Sequence, residues 1–224
     1  MKKILAFTLA EVLITLTVIG VVAAMTIPTL IQNYKKHVYY VQFRKAASQL
    51  EQALRLYQID HGCEGDISAC LDGFLPYIPN FVEDLAKYFN GAQLINEDNA
   101  DELCGYGYEK IPVNGEEDLG NEFCSNGVGI DSPYAFKTLD GAFFNFALDV
   151  GAGGGSIVDI NGPEKGPNEY GRDIFIFYLV YDKNNPTTYS GIVWGGNPDK
   201  REGCDGNDMD GCATRLLMEG KMNY

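Results

Sequence analysis

The chain has 224 residues, 46% apolar and 21% charged, enough material for one packed domain or one and a half and too apolar for intrinsic disorder. Asp and Glu number 31 against 17 Lys and Arg, a formal net charge of -14, which argues against the clustered cations of a dedicated nucleic-acid binder. A mean hydropathy of -0.14 excludes a protein of many membrane spans but leaves room for one.

The first 34 residues supply that span. After Met1-Lys2-Lys3, the stretch from Val12 to Tyr34 carries no charge over 23 residues. As a helix it would extend roughly 35 Å, enough to cross a hydrocarbon core. Lys2 and Lys3 flank it on one side, Lys35 and Lys36 on the other. Glu11 is the anomaly, because a carboxylate at mid-depth costs roughly 2 to 3 kcal/mol or more and therefore needs a partner. Removal of Met1 to Ala6 would create one: the amine of Phe7 lies about one helical turn from Glu11. Two plainer readings compete. One is a secretory signal peptide cut after Val22-Ala23-Ala24, ahead of Met25; the other is a signal anchor in which Glu11 is merely interfacial. Against the first, Glu11 interrupts the apolar region and the run continues through Ile31.

The order of residues here resembles the prepilin N-terminus of type IV pilins and type II secretion pseudopilins. A short basic leader ends in Ala6, where Gly is usual, and Phe7, Thr8, Leu9 and Glu11 match the Phe-Thr-Leu-x-Glu pattern ahead of some twenty apolar residues. Gly20 and Pro28 fall where that family carries its helix-softening residues. The resemblance implies cleavage between Ala6 and Phe7 by a membrane-embedded prepilin peptidase, and methylation of the Phe7 amine. It also implies an apolar helix that sits in lipid until the subunit enters a filament, where Glu11 meets the Phe7 ammonium of a neighbour. Such a pair selects axial register while adding little net stability. Pro28 removes a backbone hydrogen bond and Gly20 weakens the helix, so the stretch between them could extend on packing; equally, Pro28 is a tolerated kink in a span.

The helical pattern continues past the apolar run. Tyr34, Val38, Val41, Ala46, Leu50, Ala53 and Tyr57 form one stripe, with Lys35, Arg44, Lys45, Glu51 and Arg55 mostly elsewhere and Gly62 as a stop. From Phe7 to His61 the helix would be about 80 Å long, and its outer half needs a sheet to pack on. His37 reads as interfacial and His61 as a helix-end cation, neither as catalytic. Tyr34, Tyr39 and Tyr40 read as an interfacial belt. Four segments follow: leader 1–6, apolar assembly helix 7–34, amphipathic continuation 35–62 and headgroup 63–224.

In the headgroup, residues 63 to about 133 read as irregular, with a short helix around Phe81 to Asn90. A hairpin is predicted from Tyr134–Leu139, the turn Asp140-Gly141, and Ala142–Leu148. A third strand would cover Ser156–Ile160, and Asp173–Tyr181 would pair with Tyr189–Trp194. The fold class is thus α+β, a long N-terminal helix whose outer half lies on an antiparallel sheet, which is also the pilin-like arrangement. Gly151 to Gly155 lacks the third glycine and helix of a dinucleotide turn and reads as a strand connection.

Cys63, Cys70, Cys104, Cys124, Cys204 and Cys212 include no Cys-x-x-Cys, so zinc and thioredoxin-like chemistry lack support. Six cysteines in an exported domain admit fifteen disulfide connectivities, of which the sequence neighbours 63–70, 104–124 and 204–212 are favoured because each clips an irregular loop. The stretch from Asp159 through Asn161 to Asp173 resembles the loop where some major pseudopilins hold calcium, which would make these three residues candidate ligands. A turn closed by Asx hydrogen bonds is the competing reading. The acidic loop Asp205–Asp210 offers a second, weaker place for calcium. No cofactor is required by any motif.

No nucleophile, base and acid assemble into a catalytic pattern, so no enzymatic activity is expected. The expected function is a filament subunit whose partners are copies of itself or other pilins, the prepilin peptidase, an inner-membrane assembly platform and lipid, without direct nucleic acid. It would sit in the cytoplasmic membrane with its headgroup outside, then in a periplasmic or surface filament. The rivals are a singly anchored, non-polymerising binding module, and an exported soluble enzyme beginning at Met25.

Overall fold

The computed structural model describes residues 8–65, 67–70, 79–95, 99, 135–148, 155–182, 185–195, 204 and 211–223. The chain divides by contact into two units, residues 1–38 and 39–224. One helix, α1 (Leu9–His61, 53 residues), supplies the first unit and contributes its remaining turns to the second.

In the first unit α1 carries no charge from Val12 to Tyr34 and is apolar on every side there. Leu13, Ile14, Leu16, Val18, Ile19, Val21 and Val22 are all exposed. The helix is long and apolar enough to cross a membrane. Its threonines satisfy themselves: the Oγ1 atoms of Thr15, Thr17 and Thr26 donate to the carbonyls of Val12, Leu13 and Val22 at 2.8 to 2.9 Å.

In the second unit the same helix becomes one-sided. Phe43, Ala46, Leu50, Ala53, Leu54, Tyr57 and Gln58 are buried, at the three- and four-residue steps of a single face. This corrects the stripe drawn from sequence: Val41 is 51% exposed, and Phe43 takes the core position instead. They are two positions apart, about 200° around the helix, which puts Val41 on the far side. At its end, Gly62 adopts φ +72°. The N–H of Cys63 donates to the carbonyl of Gln58 at 2.9 Å and that of Gly62 to Ile59 at 3.3 Å, the paired bonds of a Schellman stop.

A short 3-10 turn (Ile67–Cys70) and helix α2 (Pro79–Ala86) lead to the sheet. Its strands are β1 (Gln93–Ile95), β2 (Ala135–Lys137), β3 (Phe143–Leu148), β4 (Gly155–Asp159), β5 (Ile174–Asp182) and β6 (Asn185–Gly195). They form one antiparallel sheet in chain order. Helix α3 (Cys212–Glu219) follows. The α+β class and the meander agree with the sequence reading, with strand limits moved by a few residues; β1 and α3 were not anticipated.

Register explains how helix and sheet meet. Phe136 pairs with Phe144, Phe144 with Val158 and Val158 with Phe175, so one row of buried apolar side chains crosses four strands on one face. Phe43 of α1 packs on this face, its ring 4.7 Å from that of Phe175 and 5.5 Å from that of Phe177. Phe89 covers Phe136 and Phe144 at 4.7 and 4.9 Å, and Phe81 meets Tyr57 at 5.1 Å. Disulfides join Cys63 to Cys70 and Cys204 to Cys212, as expected from their spacing. The pairing of Cys104 with Cys124 lies outside the described residues.

Phe43→Ala removes a fully buried ring and should cost about 3 to 5 kcal/mol. Val41→Ser should change stability by no more than about 0.5 kcal/mol. Urea unfolding of the full chain in detergent, followed by far-UV circular dichroism, distinguishes this face from the one drawn through Val41.

Candidate functional site

Two sets of residues carry chemistry: the N-terminal turn of α1 and the loop between β4 and β5.

Ala6 and Phe7, the expected cleavage and methylation positions, lie outside the described residues. The helix begins immediately after them, and its first turn is closed by Thr8 and Glu11. The N–H of Thr8 donates to Glu11 Oε2 at 2.8 Å, and the Thr8 hydroxyl donates to the same oxygen at 2.8 Å. In return the N–H of Glu11 donates to Thr8 Oγ1 at 3.3 Å. This is a reciprocal capping box, Thr at the N-cap and Glu three residues on, which satisfies two backbone donors that a helix start leaves open. Both bonds to the carboxylate fall on Oε2 and leave Oε1 outside the box. The Thr-x-x-Glu spacing is a capping-box signature legible in the sequence, where it was masked by its coincidence with the prepilin pattern.

Gly20 and Pro28 both lie inside α1, which runs through them without a break. A side chain at Gly20 would meet nothing within 4 Å. Pro28 has no N–H to give to the carbonyl of Ala24, one turn earlier.

The β4–β5 loop brings Asp159, Asn161 and Asp173 together, all at most 5% exposed. Asp159 Oδ1 accepts the N–H groups of Asn161 and Gly162 at 3.0 and 2.8 Å. Asp173 Oδ2 accepts from the N–H of Asn168 at 2.9 Å and Oδ1 from that of Glu169 at 2.8 Å. Asn168 itself sits at φ 57°, the left-handed region that Asn tolerates better than most residues, and its amide donates to the carbonyl of Pro163 at 2.9 Å. The loop presses on the β2–β3 turn: a Cβ on Gly162, at φ +83°, would stand 2.3 Å from the carbonyl oxygen of Gly141.

Calcium takes about six to eight oxygens. Here Asp159 Oδ1 and both Asp173 oxygens already receive backbone donors, and of the Asn161 amide only Oδ1 is without a hydrogen bond. No group of three or more His, Cys, Asp and Glu side chains converges among the described residues. The three residues therefore fit a cation poorly and an Asx-closed loop well. The second acidic loop, Asp205–Asp210, lies outside the described residues.

Burial pushes the Asp173 carboxyl above the usual range, against the lowering pull of the Glu169 and Asn168 N–H groups and the Asn161 amide. Near the other end of the head, burial and the hydroxyl's hydrogen bond to Asp60 push the Tyr88 phenol up to about 12, so it serves as a donor and not as a base. His61 stacks on Tyr57 with ring centres 4.0 Å apart, and its Nδ1 lies 2.9 Å from the Tyr57 carbonyl, a helix-end position as expected. Lys45 reaches from α1 to Asp140 in the β2–β3 turn, a link that spans 95 residues and left no local signal in the sequence.

No protein-family model, no curated protein and no solved structure matches this chain.

Asp173→Ala leaves the buried N–H of Asn168 and the half-buried N–H of Glu169 without an acceptor and should destabilise the head by roughly 2 to 3 kcal/mol. Calcium or a chelator should leave the unfolding midpoint unchanged. Because the folded carboxyl is raised above its unfolded value, its contribution to stability is full below the ordinary Asp range and is lost as pH rises through the raised value. Asp173→Asn should remove that part of the pH slope in thermal unfolding scans.

Proposed function

We propose that this chain is a structural subunit of a type IV pilus-like or type II secretion pseudopilus filament. A prepilin peptidase cuts it between Ala6 and Phe7 and methylates the Phe7 amine. The apolar turns of α1 hold the subunit in the cytoplasmic membrane, with the head on the far side, until an inner-membrane assembly platform moves it into the filament. There the same turns pack against those of other subunits, and Glu11 pairs with the Phe7 ammonium of a neighbour.

The observation that carries this reading is a helix whose residues 12–34 carry no charge and whose large apolar side chains there are exposed, yet which opens on a carboxylate. Lipid alone gives no use for Glu11, whereas a filament gives it a partner and a register to enforce. Gly20 and Pro28, at open positions along that face, fit a helix that must adjust to neighbours. The pilin-like form of the fold, a long helix joined to an antiparallel head with clipped loops, accords with the same reading. The head, which holds most of the acidic residues, faces solvent and makes no direct contact with nucleic acid.

The capping box favours one other reading. A Glu11 engaged by its own Thr8 needs no neighbour, which suits a singly anchored binding module that never polymerises. Glu11→Ala separates the two. The filament reading expects membrane insertion to persist while filaments disappear; unchanged assembly or the absence of any filament in the wild type sides with the anchor. Mass spectrometry of the mature protein adds an independent check, with N-methylated Phe7 expected. A mature chain that begins at Met1 or Met25 rules the filament reading out.

A further inference from the structure

The described residues hold the dipeptide Asn-Gly twice, Asn90-Gly91 after α2 and Asn161-Gly162 in the β4–β5 loop. The pair is chemically weak, because the glycine nitrogen follows the Asn side-chain carbon with no side chain of its own to shield it. The fold calls for glycine at both places. Gly91 lies at φ +64° and Gly162 at φ +83°, in the left-handed region. What surrounds the two pairs is opposite.

At Asn161 the reaction is closed. The Gly162 N–H donates to Asp159 Oδ1 at 2.8 Å, so the hydrogen that must leave is held, beside a carboxylate that opposes negative charge on the nitrogen. The Asn161 amide nitrogen donates to the Lys165 carbonyl at 3.3 Å, and the residue is 5% exposed. At Asn90 it is open. Asn90 and Gly91 are both exposed. Their turn is closed by the Ala92 N–H on the Phe89 carbonyl at 3.3 Å, while neither the Gly91 N–H nor the Asn90 amide has a partner among the described residues.

We propose that Asn90 is a site of spontaneous covalent modification, an asparagine that the fold leaves open to deamidation while closing the same dipeptide at Asn161. Hydroxide takes the Gly91 amide hydrogen. The nitrogen forms a bond to Asn90 Cγ, the Cγ–Nδ2 bond breaks, and the amide nitrogen departs as ammonia with a proton from water. Water then opens the succinimide ring at one of its two carbonyls. Opening at Cγ gives aspartate; opening at the main-chain carbonyl gives isoaspartate, with the chain running on through Cγ. The net change consumes one water and releases one ammonia, with no oxidant or reductant.

Either product adds a negative charge to a chain whose formal net charge is already -14. Isoaspartate also adds a backbone carbon to the turn, next to Phe89, whose ring lies 4.7 and 4.9 Å from those of Phe136 and Phe144. A slow chemical change at the surface is thus tied to the seating of a core ring. The site is the same in a filament subunit and in an anchored module.

The test incubates the full-length chain in detergent at mildly alkaline pH, folded or reduced and unfolded in urea, and follows each Asn-Gly peptide by mass spectrometry after digestion. Asn114-Gly115 and Asn126-Gly127, outside the described residues, separate as their own peptides. In the folded chain Asn90 should convert about tenfold or more faster than Asn161, whose reaction waits on a local opening that breaks a bond to a carboxylate. In urea the two rates should agree within about threefold, since only the neighbouring sequence then differs. Asn90 converting no faster than Asn161 in the folded chain overturns the proposal. So does a preference for Asn90 that persists in full in urea, because sequence and not the fold then sets it. The isoaspartyl fraction, separated from the aspartyl one, should unfold at a lower urea concentration; equal midpoints overturn the link to Phe89.

Discussion

Phe43 sets the plan of the second unit. Its ring lies against Phe175 and Phe177, and around that contact α1 changes from a helix that is apolar on all sides to one with a single buried face. The change is written in spacing. Before residue 35 nearly every position is apolar, so any side of the helix is equivalent in a greasy solvent. From Phe43 onward, charged residues such as Arg44, Lys45 and Arg55 occupy the exposed side, and only one face can be dry. The sheet offers a matching surface because its antiparallel register lines up Phe136, Phe144, Val158 and Phe175 in a row. Each strand contributes one aromatic or branched side chain to that row, which is why three-residue β2 suffices as a member of the sheet.

A second pattern recurs at several of the described residues: side-chain polar groups are closed by partners nearby in sequence. Thr15, Thr17 and Thr26 donate back to carbonyls three or four residues earlier. Asp159 takes the N–H groups two and three residues ahead, and Asp173 those four and five residues behind. Glu11 takes the N–H and hydroxyl three residues behind. In each case the acceptor has donors without asking for a metal ion or a distant residue, and the energetic reason is common to all, since an unmatched buried donor or acceptor costs more than a made bond returns.

Much of this was legible in the sequence. The apolar run, the stop at Gly62, the Asp140-Gly141 turn and the strands around residues 143–148 and 174–182 all rest on local signals that survive folding. The two described disulfides followed from short spacing. What was misread or missed depended on distant residues. Val41 and Phe43 are both apolar, and only the position of the β5 phenylalanines decides which of them is inside. Helix α3 is eight residues long, opens on Gly211 without a side-chain cap and closes on Gly220 at φ +68°. Strand β1 is three residues whose identity as a strand comes from pairing with β2. Within the candidate site, Asp159 and Asp173 were rightly grouped, but composition alone does not say whether backbone or cation fills a carboxylate. The direction of the N–H groups at Asn161, Gly162, Asn168 and Glu169 answers that, and direction is a property of the folded loop.

The proposed use of Glu11 follows from what apolar packing cannot do. Helices of Leu, Ile and Val side chains slide past one another by a turn with small changes in contact, because one branched aliphatic side chain replaces another of similar volume. Attraction between such surfaces is strong in sum and indifferent to register. A single ionic pair reverses the balance: it contributes little net stability when made, yet any register that leaves the carboxylate among apolar side chains without its ammonium is heavily penalised. Selectivity of this kind requires the charge to survive in the unassembled subunit, since a carboxyl that took up a proton in lipid would lose its preference for an ammonium. Within the subunit, the two Thr8 donors hold Oε2 in the first turn of α1, so the carboxylate enters any assembly with one oxygen already hydrogen-bonded.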